Sequence, residues 1–246
     1  MINKFLIKLV TFIISIFDYS NKVTIKKFFY KYLKNKSINV IDIGAHKGET
    51  INFFIKNFNI NKIFSFEPNI DLYKVLIQKN FANKSIEIFN YGVGINDSMG
   101  HLNIMSETSS STFHDLNMDS KYFKKKKKYL SFFDKSSSLV EKKQEIKIIN
   151  LSNFLFEKNI TNIDILKIDT EGYELNVLKG ISNEYFSKIK FILFEHHYDL
   201  MIKKKYKFYD INKILVDQNF KQKLKLKMKF RKSFEYIYEN QKILTE

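Results

Sequence analysis

Residues 38–58, "INVIDIGAHKGETINFFIKNF", change period halfway along. Ile38 to Ile43 form a short apolar run that ends on Gly44, and the residues from Glu49 onward repeat their apolar positions at helical spacing. A strand feeding a helix across a glycine-bearing turn is the opening unit of an α/β fold. The pattern repeats downstream. "KIFSFEP" (62–68) reads as a strand, "IDLYKVLIQKNF" (70–81) as a helix and "SIEIFNYGVG" (85–94) as a third strand. A β-α-β-α-β run predicts a parallel sheet with right-handed crossovers.

Residues 106–145 interrupt this order with "SETSSST", five adjacent lysines (Lys124–Lys128) and "KSSS". Such a stretch is either a solvated insertion or an active-site lid. Alternation then resumes: a short strand (146–149), a helix (151–157), a strand from Ile163, a helix (172–179) and the strand "KIKFILFEHH" (188–197). A helix near 208–218 and two strands near 221–230 and 233–239 complete the chain. With no internal repeat and no linker, the expectation is a helical segment over 1–37 followed by one domain over 38–246.

Composition narrows the chemistry. The 246 residues, 44% of them hydrophobic, suffice for a large core. Absence of cysteine excludes a disulfide framework, a Cys-based zinc site and a thiolate nucleophile. The net charge of +16 comes almost wholly from lysine, with Arg231 the only arginine. A surface built to grip phosphates uses arginine forks as well. The charge therefore reads as compositional bias, and nucleic acid is not the expected partner. Residues 1–17 are apolar but carry Lys4 and Lys8, and the run Leu9–Phe17 is shorter than the roughly 20 residues of a spanning helix. Without a cleavage site the segment does not read as a secretory signal. It either packs on the domain or lies in a membrane interface. In the second case residues 1–34, with Lys22, Lys26 and Lys27, contact anionic lipid at the inner face of the cell membrane. The location expected is cytoplasmic.

The loop after the first strand holds Asp42, Gly44 and Gly48 in a G-x-x-x-G spacing, not the G-x-G-x-x-G of pyrophosphate-binding loops. A nucleoside ligand without pyrophosphate, such as S-adenosylmethionine (AdoMet), suits it better. Glu67 closes the second strand, placed either to accept both ribose hydroxyls or to cap the helix that Pro68 opens. Asn90, Tyr91 and Gly92, at the third strand's tip, are placed to line an adenine slot.

"IDILKIDTEGYELNVLKG" (Ile163–Gly180) puts Lys167, Asp169 and Glu171 where a buried strand should end. Strand alternation sets Lys167 and Asp169 on one face. Desolvated charges in a crevice are costly unless used. The plainer reading makes Asp169 and Glu171 helix-dipole partners with Lys167 as counter-ion; that reading suffices for Glu174, and Gly180 ends the helix as a C′ glycine. Were the ligand AdoMet and the acceptor an alcohol, methyl transfer would need a proton acceptor or a metal. Asp169, His196 and His114 are candidate bases, and Asp169, Glu195 and His196 a candidate set for Mg²⁺ or Mn²⁺.

"VIDIGAHKGET", "FEP", "TSSST" and above all "IDILKIDTEGYELNVLKG" resemble the FkbM family of AdoMet-dependent methyltransferases. Every fixed position of the family's last motif is present between Ile163 and Gly180; His46 stands where the family usually has Asn, and the insertion is longer than usual. The resemblance implies a class I methyltransferase (Rossmann-like) fold with a seven-stranded, mostly parallel sheet. It implies AdoMet held by Asp42, Gly44, His46, Gly48, Glu67, Asn90, Tyr91 and Gly92, and chemistry at Lys167, Asp169, Glu171 and His196. The acceptor implied is a hydroxyl of a sugar, a glycolipid or another envelope glycan. Ribose O-methylation of RNA and a binding module without catalysis are the alternatives. Base amino-methylation requires a proline pair that a chain with one proline lacks, and C5 methylation requires a cysteine.

Overall fold

Strand β1 (Ser37–Ile43) is apolar on both faces, with Ile38, Val40, Ile41 and Ile43 all buried, so it belongs at the centre of a doubly covered sheet. The computed structural model places it there. Described residues are 20–79, 81, 85–105, 111–114, 117, 119–120, 124, 140–199, 202–229 and 231–243. Helix α1 (20–33), α2 (Glu49–Asn57), β2 (Asn59–Phe66), α3 (Ile70–Gln78) and β3 (Ile86–Phe89) surround β1 in sequence. There follow β4 (Gly92–Gly94), β5 (Ser98–Met105), β6 (Val140–Asn150), α4 (Leu151–Glu157), β7 (Ile163–Ile168), α5 (Glu174–Lys179) and α6 (Asn183–Phe186). The chain closes with β8 (Ile189–His197), α7 (Phe208–Asp217), β9 (Phe220–Lys227) and β10 (Ser233–Asn240).

The main sheet has seven strands in the order β3-β2-β1-β7-β8-β10-β9, parallel except for β10, which is antiparallel to both β8 and β9. Helices α1, α2 and α3 cover one face through Ile25, Phe29, Leu33, Ile51, Phe54 and Leu76. Helices α4, α5, α6 and α7 cover the other, through residues such as Phe154, Leu175, Phe186 and Leu215. The expected architecture is present.

Three boundaries differ from expectation. The stretch 85–94 is two strands, because the Asn90 side chain donates to the carbonyls of Glu67 (2.8 Å) and Pro68 (3.0 Å) and turns the backbone out of the sheet. Its second half, β4, joins a separate three-stranded sheet, β4-β6-β5. The short strand expected at 146–149 is the end of the 11-residue β6, lengthened by antiparallel pairing with β5. Helix α5 begins at Glu174 and not at Gly172, since Glu171 (φ 48°) and Gly172 (φ 97°) are both left-handed.

Residues 1–17, Ser106–Ser110, Lys125–Lys128 and Ser136–Ser138 lie outside the described residues. Within α1, Ile25, Phe29 and Leu33 are core, so the helix is continuous with the domain that follows it. Lys22, Lys26, Lys27, Lys31 and Lys34 point outward. Among the described residues no helix is long and apolar enough to cross a membrane.

Candidate active site

The carboxyl ends of β2, β1, β7 and β8 open onto one cavity of about 570 Å³, within the range of small-molecule sites. Glu67 lines it from β2 and Glu195 from β8, three strand steps away, so the crevice spans about 14 Å. Between them lie Gly44, Ala45 and His46 after β1, and Lys167, Asp169 and Glu171 at the end of β7. Tyr91, Gly92, Val93 and Leu72 give the Glu67 end apolar walls; Met228, Arg231 and Glu235 close the far end.

The β1–α2 loop is fixed by its neighbours. The N–H groups of Gly44 and Ala45 both donate to the Phe66 carbonyl, and Asp169 N–H donates to Ile43 O. Gly44 has φ 88°, and a Cβ there would overlap the Asp169 carbonyl oxygen. Its glycine is thus required by contact with β7. His46 has φ 49°, a conformation for which Asn and His are both enriched. The backbone at this position therefore accepts the histidine without unusual strain. The His46 N–H donates to Glu67 Oε2 (2.7 Å) and the Asn69 N–H to Glu67 Oε1 (2.9 Å). Helix α3 is capped by the Asn69 side chain, so Glu67 does not serve as its cap. Burial pushes the Glu67 carboxyl up to about 7 against those two hydrogen bonds.

Lys167 is the hub of the charge cluster. Its Nζ lies 3.1 Å from Asp169 Oδ2 and 3.7 Å from Asp42 Oδ1. Burial by itself would depress the ammonium, but Asp169 and Asp42 outweigh it and hold Lys167 above its ordinary range. Asp42 pairs with Lys167 across β1 and β7 and accepts from Ser65 Oγ (2.8 Å). It is fully buried beneath the cavity and does not line it.

Several expected site residues fall elsewhere. Gly48 (φ 81°) is the N-cap of α2, where it supplies a turn, and Asn90 braces the Glu67 backbone from behind. His196 follows Glu195 on β8, so alternation sends it to the opposite face, 3.6 Å from Glu174 and packed on Tyr206 and Phe208. The set Asp169, Glu195 and His196 therefore cannot converge on one ion, and no group of three metal-ligating side chains occurs among the described residues. His114 packs on the Tyr173 ring outside the cavity wall. Glu171 precedes α5 and is not in its first turn; it faces His197 Nε2 at 3.3 Å. Gly180 is right-handed (φ −80°), and glycine is needed there because a Cβ would strike the Gly94 carbonyl.

His197 is a residue that sequence reasoning missed, although alternation from Glu195 marks it as the histidine of the crevice face. Its imidazole lies 3.3 Å from Glu171 and from Glu195, and 3.5 Å from Asp199. Burial opposes protonation, but Glu171, Asp199 and Glu195 raise its pKa from 6.5 to about 10. The folded state thus holds a proton that the unfolded chain releases above 6.5. The stability this contributes is complete below pH 6.5 and lost as pH rises through about 10. Thermal unfolding between pH 7 and 9 should show wild-type stability falling, and His197→Gln flattening the slope. An equally steep slope in the variant would refute the assignment.

The TSSST motif reaches this site too. Thr112 is buried and its Oγ1 donates to the Glu171 carbonyl (2.8 Å), while Ser111 and Phe113 line the cavity.

A seven-stranded sheet in this order, with a crevice across the ends of its parallel strands, is the class I methyltransferase architecture. The sequence profile of the Methyltransferase FkbM domain matches residues 42–222. The chain belongs to the FkbM methyltransferase family. A crystal structure of a Methyltransferase FkbM from Methylobacillus flagellatus KT is similar, with a TM-score of 0.51 and 17% identity over 82% of this chain and 44% of that one. This chain thus spans less than half of that protein's length. Two further solved structures match at lower similarity. One is M. capricolum TrmK bound to S-adenosylhomocysteine (TM-score 0.47, 11% identity, 88% and 67% covered). The other is an rRNA methylase from Streptococcus thermophilus (TM-score 0.49, 10% identity, 88% and 94% covered). No curated protein sequence matches the chain.

Proposed function

We propose that the chain is an AdoMet-dependent O-methyltransferase acting on a hydroxyl of a sugar, glycolipid or other cell-envelope glycan. The observation that carries the reading is one continuous crevice with Glu67 at one end and the Lys167–Asp169 pair further along. The residues fit the cofactor. Each Glu67 oxygen accepts one backbone N–H, which leaves lone pairs for two ribose hydroxyls. Leu72, Tyr91 and Val93 provide apolar walls beside it for a purine. When bound, AdoMet supplies an electrophilic methyl group.

The chain's own part is positioning and proton transfer. Lys167 donates to Asp169 Oδ2 and fixes the side chain. Oδ1 is left to take the proton of the acceptor's hydroxyl. The buried ammonium keeps its proton and is not itself a base.

Calorimetric titration with S-adenosylhomocysteine tests the cofactor end. At pH 8, above the Glu67 pKa of about 7, Glu67→Gln should weaken binding by about 1.5–3 kcal/mol, the worth of hydrogen bonds to a charged group. Unchanged affinity in a folded variant would sink the assignment.

A further inference from the structure

The far end of the crevice carries more carboxyl groups than the proton transfer uses. Glu195 on β8 and Glu235 on β10 stand directly opposite each other in antiparallel register, and both line the cavity. Like charges at such a cross-strand pair, with Cβ atoms about 5 Å apart, destabilise a sheet. A chain with 42 lysines and arginines has nevertheless kept two acids there.

The groups around the pair come from four elements. Asn21 of α1 donates to Glu235 Oε2 (3.1 Å). Glu195 Oε1 lies 3.3 Å from His197 Nε2, is sealed from solvent and makes no hydrogen bond. Lys167 and Asp169 face the pair from β7 and Arg231 from the β9–β10 turn, and the exposed Lys22 of α1 stands at the rim of the same cavity. Burial and then Asp169 raise the Glu195 carboxyl, and burial and then Glu195 push Glu235 up to about 7. In its carboxylate form the pair offers the cavity acceptor atoms alone, and a molecule that brings donors favours that form over the protonated one.

We infer that Glu195 and Glu235 form the acceptor-recognition wall, which takes a sugar ring presenting adjacent hydroxyl or ammonium donors and rejects a phosphate next to the reacting hydroxyl. The inference rests on the proposed function, in which the Asp169 end is the acceptor end. It separates that function from methylation of RNA ribose, whose 2′-hydroxyl sits beside a phosphodiester. A phosphate brings negative charge and acceptor atoms, and so disfavours the carboxylate form of both glutamates that a donor-bearing ring favours.

Saturation-transfer NMR on the full chain, loaded with S-adenosylhomocysteine, tests this with four probes: methyl α-glucoside, glucosamine, glucose 1-phosphate and a uridine dinucleotide. The two unphosphorylated sugars should bind at least tenfold more tightly than the sugar phosphate or the dinucleotide. Glu195→Gln and Glu235→Gln should each weaken the sugars fivefold or more without changing affinity for S-adenosylhomocysteine. The wild-type comparison stands even where a variant does not fold. Equal or tighter binding of glucose 1-phosphate or the dinucleotide overturns the inference, as does a loaded protein that binds no sugar. Failure to bind S-adenosylhomocysteine overturns the proposed function, and this inference with it.

Discussion

Asp169→Asn should lower kcat by about 100-fold or more while leaving affinity for S-adenosylhomocysteine near wild type. The amide has the shape of the carboxylate but cannot take the acceptor's proton. Asp169 is the side chain at the end of β7 that lines the crevice beside Lys167, and Lys167 touches it at 3.1 Å. The effect belongs in kcat because, in the proposed reaction, the group acts on the bond being made, whereas the proposed cofactor end rests on Glu67, two strands away. Glu171→Gln should act less directly, since that carboxylate faces His197 at 3.3 Å. Steady-state kinetics with a methyl-accepting glycan checks both. A wild-type rate for Asp169→Asn, with Glu171→Gln inactive, would reverse the roles. Chelation by EDTA should leave the rate unchanged; loss of activity restored by Mg²⁺ would return Asp169 to metal binding.

Glu174→Ala should destabilise the protein by about 3–5 kcal/mol, the cost of removing one partner from a buried charged network. Glu174 is fully buried, and its Oε1 accepts from Gly172 N–H (2.7 Å). Its Oε2 accepts from the Tyr206 hydroxyl (2.5 Å) and lies 3.6 Å from His196 Nδ1. One side chain thereby ties the left-handed turn at 171–172 to β8 and to the segment before α7. Burial works against the charge, but His196 and Tyr206 outweigh it and bring the Glu174 carboxyl down to about 2. The stability it contributes is present above the unfolded value of 4.5 and lost as pH falls through about 2. Urea unfolding at pH 7 measures the loss in the variant, and a change below 1 kcal/mol would show the network to be dispensable.

The β-α alternation was legible because period 2 and period 3.6 are told apart by apolar spacing alone, as between Ile38–Ile43 and Glu49–Asn57. Gly44, Glu67, Lys167 and Asp169 were legible for a related reason: each ends a parallel strand, and strand ends meet in one crevice. Strand β5, "SMGHLNIM", was not legible, because a glycine and mixed polar residues blur its alternation until β6 pairs with it. Choosing His196 over His197 was an error of parity, since Glu195 already marked which face was wet. Glu235 could not be found by spacing. It reaches Glu195 through an antiparallel hairpin 40 residues later, and only the sheet order reveals that proximity. Glu171 and Gly180 had the right residue types, but their backbone conformations depend on contacts with Thr112 and Gly94 from the insertion and the small sheet.

The contact between Gly44 and the Asp169 peptide has a consequence for how such a protein changes over generations. Because no side chain fits between that loop and β7, the proposed cofactor seat and the proposed proton acceptor are inherited as one piece. Glu235 and Arg231 sit instead on the β9–β10 hairpin at the sheet's margin, where sequence can drift without re-registering any parallel strand. New acceptors would then arise by rewriting the hairpin around an unchanged methyl-transfer centre.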